Sequence, residues 1–443
     1  MRLHFFTVND IEDYHKNYRF SVEARELIKN SKAQTTEDFD QEFFYKFIKN
    51  TFGVSNEAYE SQIYGETGIY GLRLDFNFGL RLDVPEGNFR VKISDFDSGE
   101  NFFDKYISGG RLLSVEQYFI RWQVEVFLNE EKIFSHIFNP EGKDVAIILG
   151  EHTALGDTLA FLPYFREFKR IHKCNLVISL PNAYRELIAY LYPDLPQIHE
   201  KDPKTYATYY PLMLMSKFPL IPVDIRHMPL NRVGGMILGI DYFAPKPVFK
   251  PTAPPVTNDP YVCIALQARN ARKSWHWPGG WDIVVDYLKS LGYRVFCIDK
   301  NAKEENDGYT VCKPDGAEDF TGDRSLIERA NMLYHAQFFI GLGSGLSWLA
   351  NAVDCPVVMI CGFTQDWCEF YTPYRVANRK GCSGCMNDLR VYFFNEATCP
   401  YHEGTPRALE CQKTISPRMV IDAIERLIVD KNLTPPALKE KFL

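Results

Sequence analysis

The chain has 443 residues, 46 % of them hydrophobic and 14 % aromatic, which is too much for one ordinary core, so two or three domains are expected. Its formal net charge of −7 argues against nucleic acid and anionic membrane as partners in bulk. No run approaches the roughly 18 apolar residues that span a bilayer. The N-terminus, Met1-Arg-Leu-His-Phe-Phe, has no sustained apolar stretch, so no signal peptide is expected, and the eleven cysteines are expected as thiols rather than disulfides.

Residues from Asp10 to Thr51 are charged and aromatic with helix-like spacing. Leu72, Leu74, Phe76, Phe78, Leu80, Leu82 and Val84 then take every second position. That period of two predicts one strand face buried and one wet, with a bend at Gly79. Ile120, Trp122, Val124, Val126 and Leu128 repeat the alternation, and Asn129-Glu130-Glu131 turns the chain into Ile133 to Phe138. Residues 1–142 therefore read as a helical and β-rich N-terminal domain.

The pattern changes at Asp144. Val145 to Leu149 is a continuous apolar run, as expected of a parallel strand buried on both faces. A loop, a helix from about Asp157 to His172, a strand at Asn175–Ser179 and a helix at Tyr184–Tyr192 follow in βαβ order. From Tyr242 to Pro260 six prolines exclude helix and central strand and mark a linker. The same order then restarts. Strands at Tyr261–Leu266, Arg294–Ile298, Phe338–Gly341 and Val357–Ile360 alternate with helices at Trp281–Leu291, Leu326–His335 and Gly345–Val353. Pro417–Asp430 is a last amphipathic helix, with Met419, Val420, Ile424 and Leu427 on one face. The expected fold is α/β: two Rossmann-like domains, 143–256 and 257–443, with a site in the cleft between them. This is the GT-B architecture of glycosyltransferases.

In open parallel sheets, ligands bind beyond the carboxyl ends of the strands. Three loops there carry candidate chemistry. Gly150–Thr158 contains Asp157, which is either an N-cap or a general base that takes a proton from an acceptor hydroxyl. Glu151 and His152 are weaker candidates in the same loop. The next, Gln267–Trp277, places Arg269, Arg272 and Lys273 straight after a strand. They would neutralise charge on a departing nucleoside diphosphate, the alternative being a solvated basic loop. The third runs from Gly341 to Ala352. Amides of Gly343, Ser344, Gly345 and Leu346 would cradle a phosphate at a helix start, or the small residues merely allow close packing. Its spacing is neither Walker A nor the dinucleotide fingerprint.

Cys382 and Cys385 form a Cys-x-x-Cys, followed by Cys399 and Cys411 after gaps of 13 and 11 residues. This is a four-thiolate metal pattern within an insert at 380–413, and its closed shell implies a structural role. Iron and zinc both accept four thiolates. Cys368, Asp388 and His402 are the substitutes if one ligand is misassigned. Cys174, Cys263, Cys297, Cys312, Cys355 and Cys361 lie in or beside apolar runs and read as core residues.

Leu155-Gly-Asp-Thr158 resembles the start of bacterial lipopolysaccharide core heptosyltransferases. So does the run from Ser325-Leu-Ile-Glu-Arg-Ala through Gly343–Ala352 to Gly362-Phe-Thr364. With its β-rich N-terminus and cysteine insert, the chain more closely resembles the bacterial autotransporter heptosyltransferases, over most of its length and most firmly over 144–415. The resemblance implies a GT-B fold and chemistry that needs no metal. It implies heptose transfer from ADP-heptose to Ser/Thr hydroxyls of an autotransporter adhesin, in the cytoplasm before export. It also implies an iron ion held by the four cysteines, with zinc as the other choice, and a homo-oligomer of large rings, described as dodecamers. By motif, Asp157 matches the catalytic aspartate and Lys273 the lysine near the donor diphosphate. Thr158, Arg269, Arg272 and residues 343–346 complete the substrate-binding set. One departure stands out. Lipopolysaccharide heptosyltransferases usually carry Asp and His where this chain has Gly343 and Trp348. The leading reading is an inverting protein O-heptosyltransferase. Its rivals are a transferase using another nucleotide sugar or a glycan acceptor, and a non-catalytic metal-stabilised scaffold.

Overall fold

The computed structural model describes residues 5–6, 61–199, 204–212, 223–306, 308–388, 390–391 and 399–439. The helical stretch expected at Asp10–Thr51 lies outside them. After β1 (Phe5–Phe6), the alternating run at 72–84 makes two strands rather than one bent strand. In β2 (Arg73–Asn77) and β3 (Arg81–Val84), Leu74 pairs antiparallel with Leu82. The chain reverses fully because Phe78 and Gly79 both take positive φ, 59° and 88°. The face expected to be wet is also covered: Asp75, Asn77 and Arg81 are buried. Arg81 meets Asp75 through two hydrogen bonds, and its guanidinium also reaches Ser61 Oγ. Each buried charge thus has its partner.

Next come β4 (Phe89–Asp95), β5 (Asn101–Ile107), β6 (Gly110–Ser114), β7 (Trp122–Leu128) and β8 (Glu131–Ile137). The order β5-β4-β7-β8 makes an antiparallel sheet. The expected turn joins β7 to β8, with positive φ at Asn129 and Glu130, as a tight hairpin requires.

The first βαβ unit holds β9 (Asp144–Ile148), α1 (Leu155–His172), β10 (Asn175–Ser179), α2 (Arg185–Leu191), β11 (Ala207–Tyr209) and α3 (Leu230–Ile237). Its strands share a seven-stranded sheet with the N-terminal ones, in the order β1-β6-β3-β2-β11-β9-β10. The join is β11, parallel to both β2 and β9.

The second unit is reached through residues 242–260, which form neither helix nor strand. It contains β12 (Tyr261–Ile264), α4 (Gly280–Ser290), β13 (Arg294–Cys297), the hairpin β14 (Lys303–Asn306) and β15 (Tyr309–Cys312), and β16 (Glu318–Asp319). It continues with α5 (Leu326–His335), β17 (Phe339–Leu342), α6 (Gly345–Ala352), β18 (Val357–Ile360), β19 (Arg375–Val376), α7 (Glu410–Lys413) and α8 (Pro417–Asp430). The sheet order is β16-β13-β12-β17-β18-β19, all parallel. The order reverses between β12 and β17, which opens a crevice beyond their carboxyl ends. Helix α5 starts at a capping box of Ser325 and Glu328, and Ser416 caps α8.

Five of the six cysteines expected in the core are buried. Cys312 is exposed instead, because β15 pairs only with β14 in a hairpin separate from the main sheet. Among the described residues, no helix is long and apolar enough to cross a membrane.

Candidate active site

A cleft of about 230 Å³ opens at the reversal point of the second sheet and is shared with the start of α1 and the segment leading into α3. Asp157, Arg269, Arg272, Lys273 and residues 343–345 all border it. Asp157 is not the N-cap of α1. That position is Ala154, which makes no side-chain cap, and Asp157 stands two residues inside the first turn. The Tyr184 phenol is pushed up by burial first and by the Asp157 charge second, so this ring shares the neighbourhood of the carboxylate. Glycines hold the two helix starts together. A Cβ on Gly156 would lie 2.9 Å from the Trp348 ring, and one on Gly345 would lie 3.0 Å from Leu155 Cβ.

Other residues expected in the site fall elsewhere. Thr158 is wholly buried and its hydroxyl donates to the Ala154 carbonyl at 3.0 Å. Glu151 accepts from Asn182, and His152 is exposed. Leu346 does not border the cleft, and the Ser344 N–H already donates to Leu342 O at 2.7 Å. Of the four amides expected to cradle a phosphate, that of Ser344 is therefore already engaged within the loop.

The basic loop is built rather than solvated. Arg269 is exposed and Lys273 half-buried, but Arg272, Asn270 and Ser274 are buried. The root of the loop is fixed by Asp299, which accepts the N–H groups of Leu266 and Gln267 at 2.7 and 3.3 Å. Burial pushes the Asp299 carboxyl up to about 7. Arg329 of α5 secures the same strand end by donating to the carbonyls of Ile298 and Asp299. Farther along, Trp275 Nε1 donates to Ile415 O at 2.8 Å.

Several bordering residues carried no signal in the sequence. Glu369 is buried, pairs with Arg375 at 2.6 Å and accepts from the Thr364 hydroxyl. Its carboxylate fills the space beside Gly343, where a Cβ would lie 2.9 Å from Glu369 Oε1. The residue sits in an aperiodic loop, so nothing in its spacing marks it. On the opposite wall stand Arg226, Met228, Leu230 and Val233. Helix α3, which carries two of them, packs on α1 with Gly234 against Phe161, and its Gly-Gly pair had obscured it as a helix.

The description "Glycosyltransferase TibC, N-terminal domain" belongs to a family model that matches residues 68–130. A second, "Glycosyltransferase family 9 (heptosyltransferase)", matches 241–388. The chain is 40 % identical over 361 residues to the autotransporter heptosyltransferase BAHTCr of Citrobacter rodentium, covering 80 % of this chain and 88 % of the relative. The chain belongs to the autotransporter heptosyltransferase family.

Within this family it is 38 % identical to TibC of Escherichia coli, over 86 % of this chain and 94 % of TibC. It is also 34 % identical to BimC of Burkholderia thailandensis, described as an inactive autotransporter heptosyltransferase, over 82 % of this chain and 86 % of BimC. The crystal structure of iron-containing dodecameric TibC matches at a TM-score of 0.77 and 37 % identity, covering 81 % of this chain and 96 % of that one. The complex of TibC with ADP-D-β-D-heptose matches at 0.78 and 36 %, covering 84 % and 99 %. The heptosyltransferase fold here is thus a mixed α/β glycosyltransferase fold with a β-rich N-terminal part.

In this family member the four C-terminal cysteines gather in one neighbourhood. Cys385 and Cys411 are buried, and Cys382 and Cys399 are half-buried. Burial pushes the Cys385 and Cys411 thiols up, and charge on the neighbouring cysteines pushes the same way. Such an all-sulfur donor set suits iron or zinc. Among the described residues, no three His, Cys, Asp or Glu side chains are arranged to hold a metal ion, so the thiols converge without a closed ligand set. Two of the substitutes are engaged elsewhere. Asp388 pairs with Arg390 at 2.6 Å, and Cys368 borders the cleft.

Proposed function

We propose that this chain is an active protein O-heptosyltransferase that moves heptose from ADP-heptose to Ser/Thr hydroxyls of an autotransporter adhesin. The observation that carries the reading is the convergence of Asp157 and Lys273 on one cleft from separate βα units. Asp157 takes the proton of the acceptor hydroxyl as its oxygen bonds to the anomeric carbon. The bond from that carbon to the ADP oxygen breaks on the opposite face, so the configuration inverts. Arg269, Arg272 and Lys273 neutralise the charge arriving on the diphosphate. The Gly343–Gly345 turn and the start of α6 receive its phosphates, with residues 143–256 as acceptor domain and 257–443 as donor domain.

The likeness to TibC in complex with ADP-D-β-D-heptose supports the donor. Iron-containing, dodecameric TibC supports one iron ion on Cys382, Cys385, Cys399 and Cys411, and a ring of identical subunits. When bound, that ion would be held by the thiolates of these four cysteines and would serve to hold the segment's fold. We place the reaction in the cytoplasm, before the adhesin is exported. A scaffold role is the second reading, because one relative is described as inactive.

Mass spectrometry of an adhesin co-expressed with this chain separates the two. Added heptose on Ser or Thr is expected, and Asp157→Ala is expected to reduce it by roughly 10²–10⁴-fold. Near-normal transfer by that variant would remove Asp157 as base. Absence of transfer by the wild-type chain would favour the scaffold.

A further inference from the structure

Glu369 borders the cleft and is only 7 % exposed, yet neither the proton transfer nor the neutralisation of the diphosphate employs its carboxylate. Arg375, whose side chain is 6 % exposed, holds one of its oxygens, with Nη2 at 2.6 Å from Oε2. The Thr364 hydroxyl stands 3.1 Å from Oε1 and 3.0 Å from Oε2, but its single proton serves one oxygen at a time. Among the described residues, the other hydrogen-bonding neighbour of Oε1 is the Cys361 thiol at 3.9 Å, a weak donor. A carboxylate has about four acceptor positions, so Oε1 has room for further donors.

The neighbours of Glu369 put it beside the part of the cleft where bonds change. Gly343 belongs to the turn assigned above to the phosphates, and a Cβ on it would lie 2.9 Å from Oε1. Phe370, the next residue along, packs edge-on against Trp348, with ring centroids 5.0 Å apart. Trp348 borders the cleft and lies in turn against Gly156, the neighbour of Asp157, where a Cβ would meet the ring at 2.9 Å. Glu369 therefore stands between the phosphate turn and the wall that carries Asp157. In a nucleotide sugar, the ring between the diphosphate and the attacking hydroxyl is the sugar.

Charge favours the same occupant. Arg375 offsets the carboxylate, so the pair does not repel a diphosphate as a bare carboxylate would. What it offers the cleft is an acceptor atom held in place. A sugar ring is a neutral polyol, and a hydroxyl that donates to an ionised acceptor makes the stronger class of hydrogen bond.

We propose that Glu369 is a specificity-determining residue that accepts hydrogen bonds from hydroxyls of the donor's sugar ring, with Arg375 and Thr364 as positioning residues that fix its carboxylate. This rests on the donor reading given above. A site built to hydrogen-bond a hydroxyl rejects a sugar that lacks it, because the buried carboxylate is then left short of a partner. Glu369 thus selects the sugar, while the basic loop holds the ADP that every ADP-sugar shares.

Calorimetry on the purified full chain, with ADP and with ADP-heptose, tests this, and melting temperatures of the same samples report the fold. Glu369→Gln keeps the shape and removes the charge. It is expected to bind ADP within about twofold of the wild-type chain and ADP-heptose roughly tenfold more weakly. Glu369→Asp keeps the charge for Arg375 and withdraws it by one methylene. The same selective loss is expected there, at roughly threefold, and this variant decides the matter if Glu369→Gln does not fold. Equal weakening of both ligands would make Glu369 a structural clamp and overturn the proposal. Unchanged affinity for ADP-heptose in a folded variant overturns it as well. A wild-type chain that binds neither ligand brings down the donor reading and this proposal with it, and shows so before any variant is made.

Discussion

Gly343 and Glu369 show how one residue's lack of a side chain shapes this site. The Glu369 carboxylate is held by Arg375 and by the Thr364 hydroxyl, so it has little room to retreat. A methyl group on residue 343 would meet Glu369 Oε1 at 2.9 Å and Cys361 Sγ at 3.1 Å. Gly343→Ala should therefore destabilise the fold by about 1–3 kcal/mol, as overpacking does. Displacement of the carboxylate into the cleft should weaken ADP binding by roughly tenfold, about 1.4 kcal/mol. Unchanged melting temperature and unchanged calorimetric affinity would show that the site yields without cost. Asp157, Arg272 and Lys273 were legible in the sequence because each follows a recognisable strand at a short distance. Glu369 was not, because its place is set by an ion pair with Arg375 on a later strand, a contact no spacing announces. Thr158 misled for the opposite reason: it adjoins the motif in sequence, but helix geometry turns it inward.

At the scale of elements, β12, β13 and α5 meet at Asp299. This carboxyl is wholly buried and stands near 7 rather than at its ordinary 3.8. Between these values the folded chain holds a proton that the unfolded chain has lost. Its contribution to stability is therefore greatest below about pH 4 and falls as pH rises towards 7, by up to about 4 kcal/mol. Asp299→Asn keeps an acceptor for the Leu266 and Gln267 amides and removes the titration. The expected result is a smaller loss of melting temperature between pH 5 and pH 8 in the variant than in the wild-type chain. Parallel pH profiles would exclude Asp299 as the titrating group. Elements with long apolar runs, such as β9 and β12, were plain in the sequence because burial on both faces leaves an uninterrupted signal. The β2–β3 pair read as one strand because two residues at positive φ reverse the chain without interrupting the alternation. Strand β11 is only three residues long, too short for any periodicity to emerge.

That short strand decides how the whole molecule is held together. The change of hydrophobic pattern at Asp144 suggests a domain boundary at 142, yet one sheet runs across it through β2, β11 and β9. The Phe76 N–H donates to Tyr206 O at 2.9 Å, and the Phe76 ring packs on Phe138 and Tyr206 at 4.7 and 5.1 Å. Asn77 and Thr205 add a buried hydrogen bond between the same two segments. Removing the N-terminal strands would expose the edge of β11 and the aromatic face beneath it. An unpaired apolar edge of that kind invites aggregation rather than independent folding. A chain beginning at residue 143 should therefore be insoluble, or else soluble with weakened near-ultraviolet circular dichroism and strong binding of a hydrophobic dye. Loss of folding would extend to the Asp157 loop, since β9 leads directly into it. A truncated chain that is monodisperse, melts cooperatively and binds ADP like the full chain would show instead that β2 and β11 merely touch. The parallel β2–β11 pairing would then be dispensable to the fold that presents Asp157.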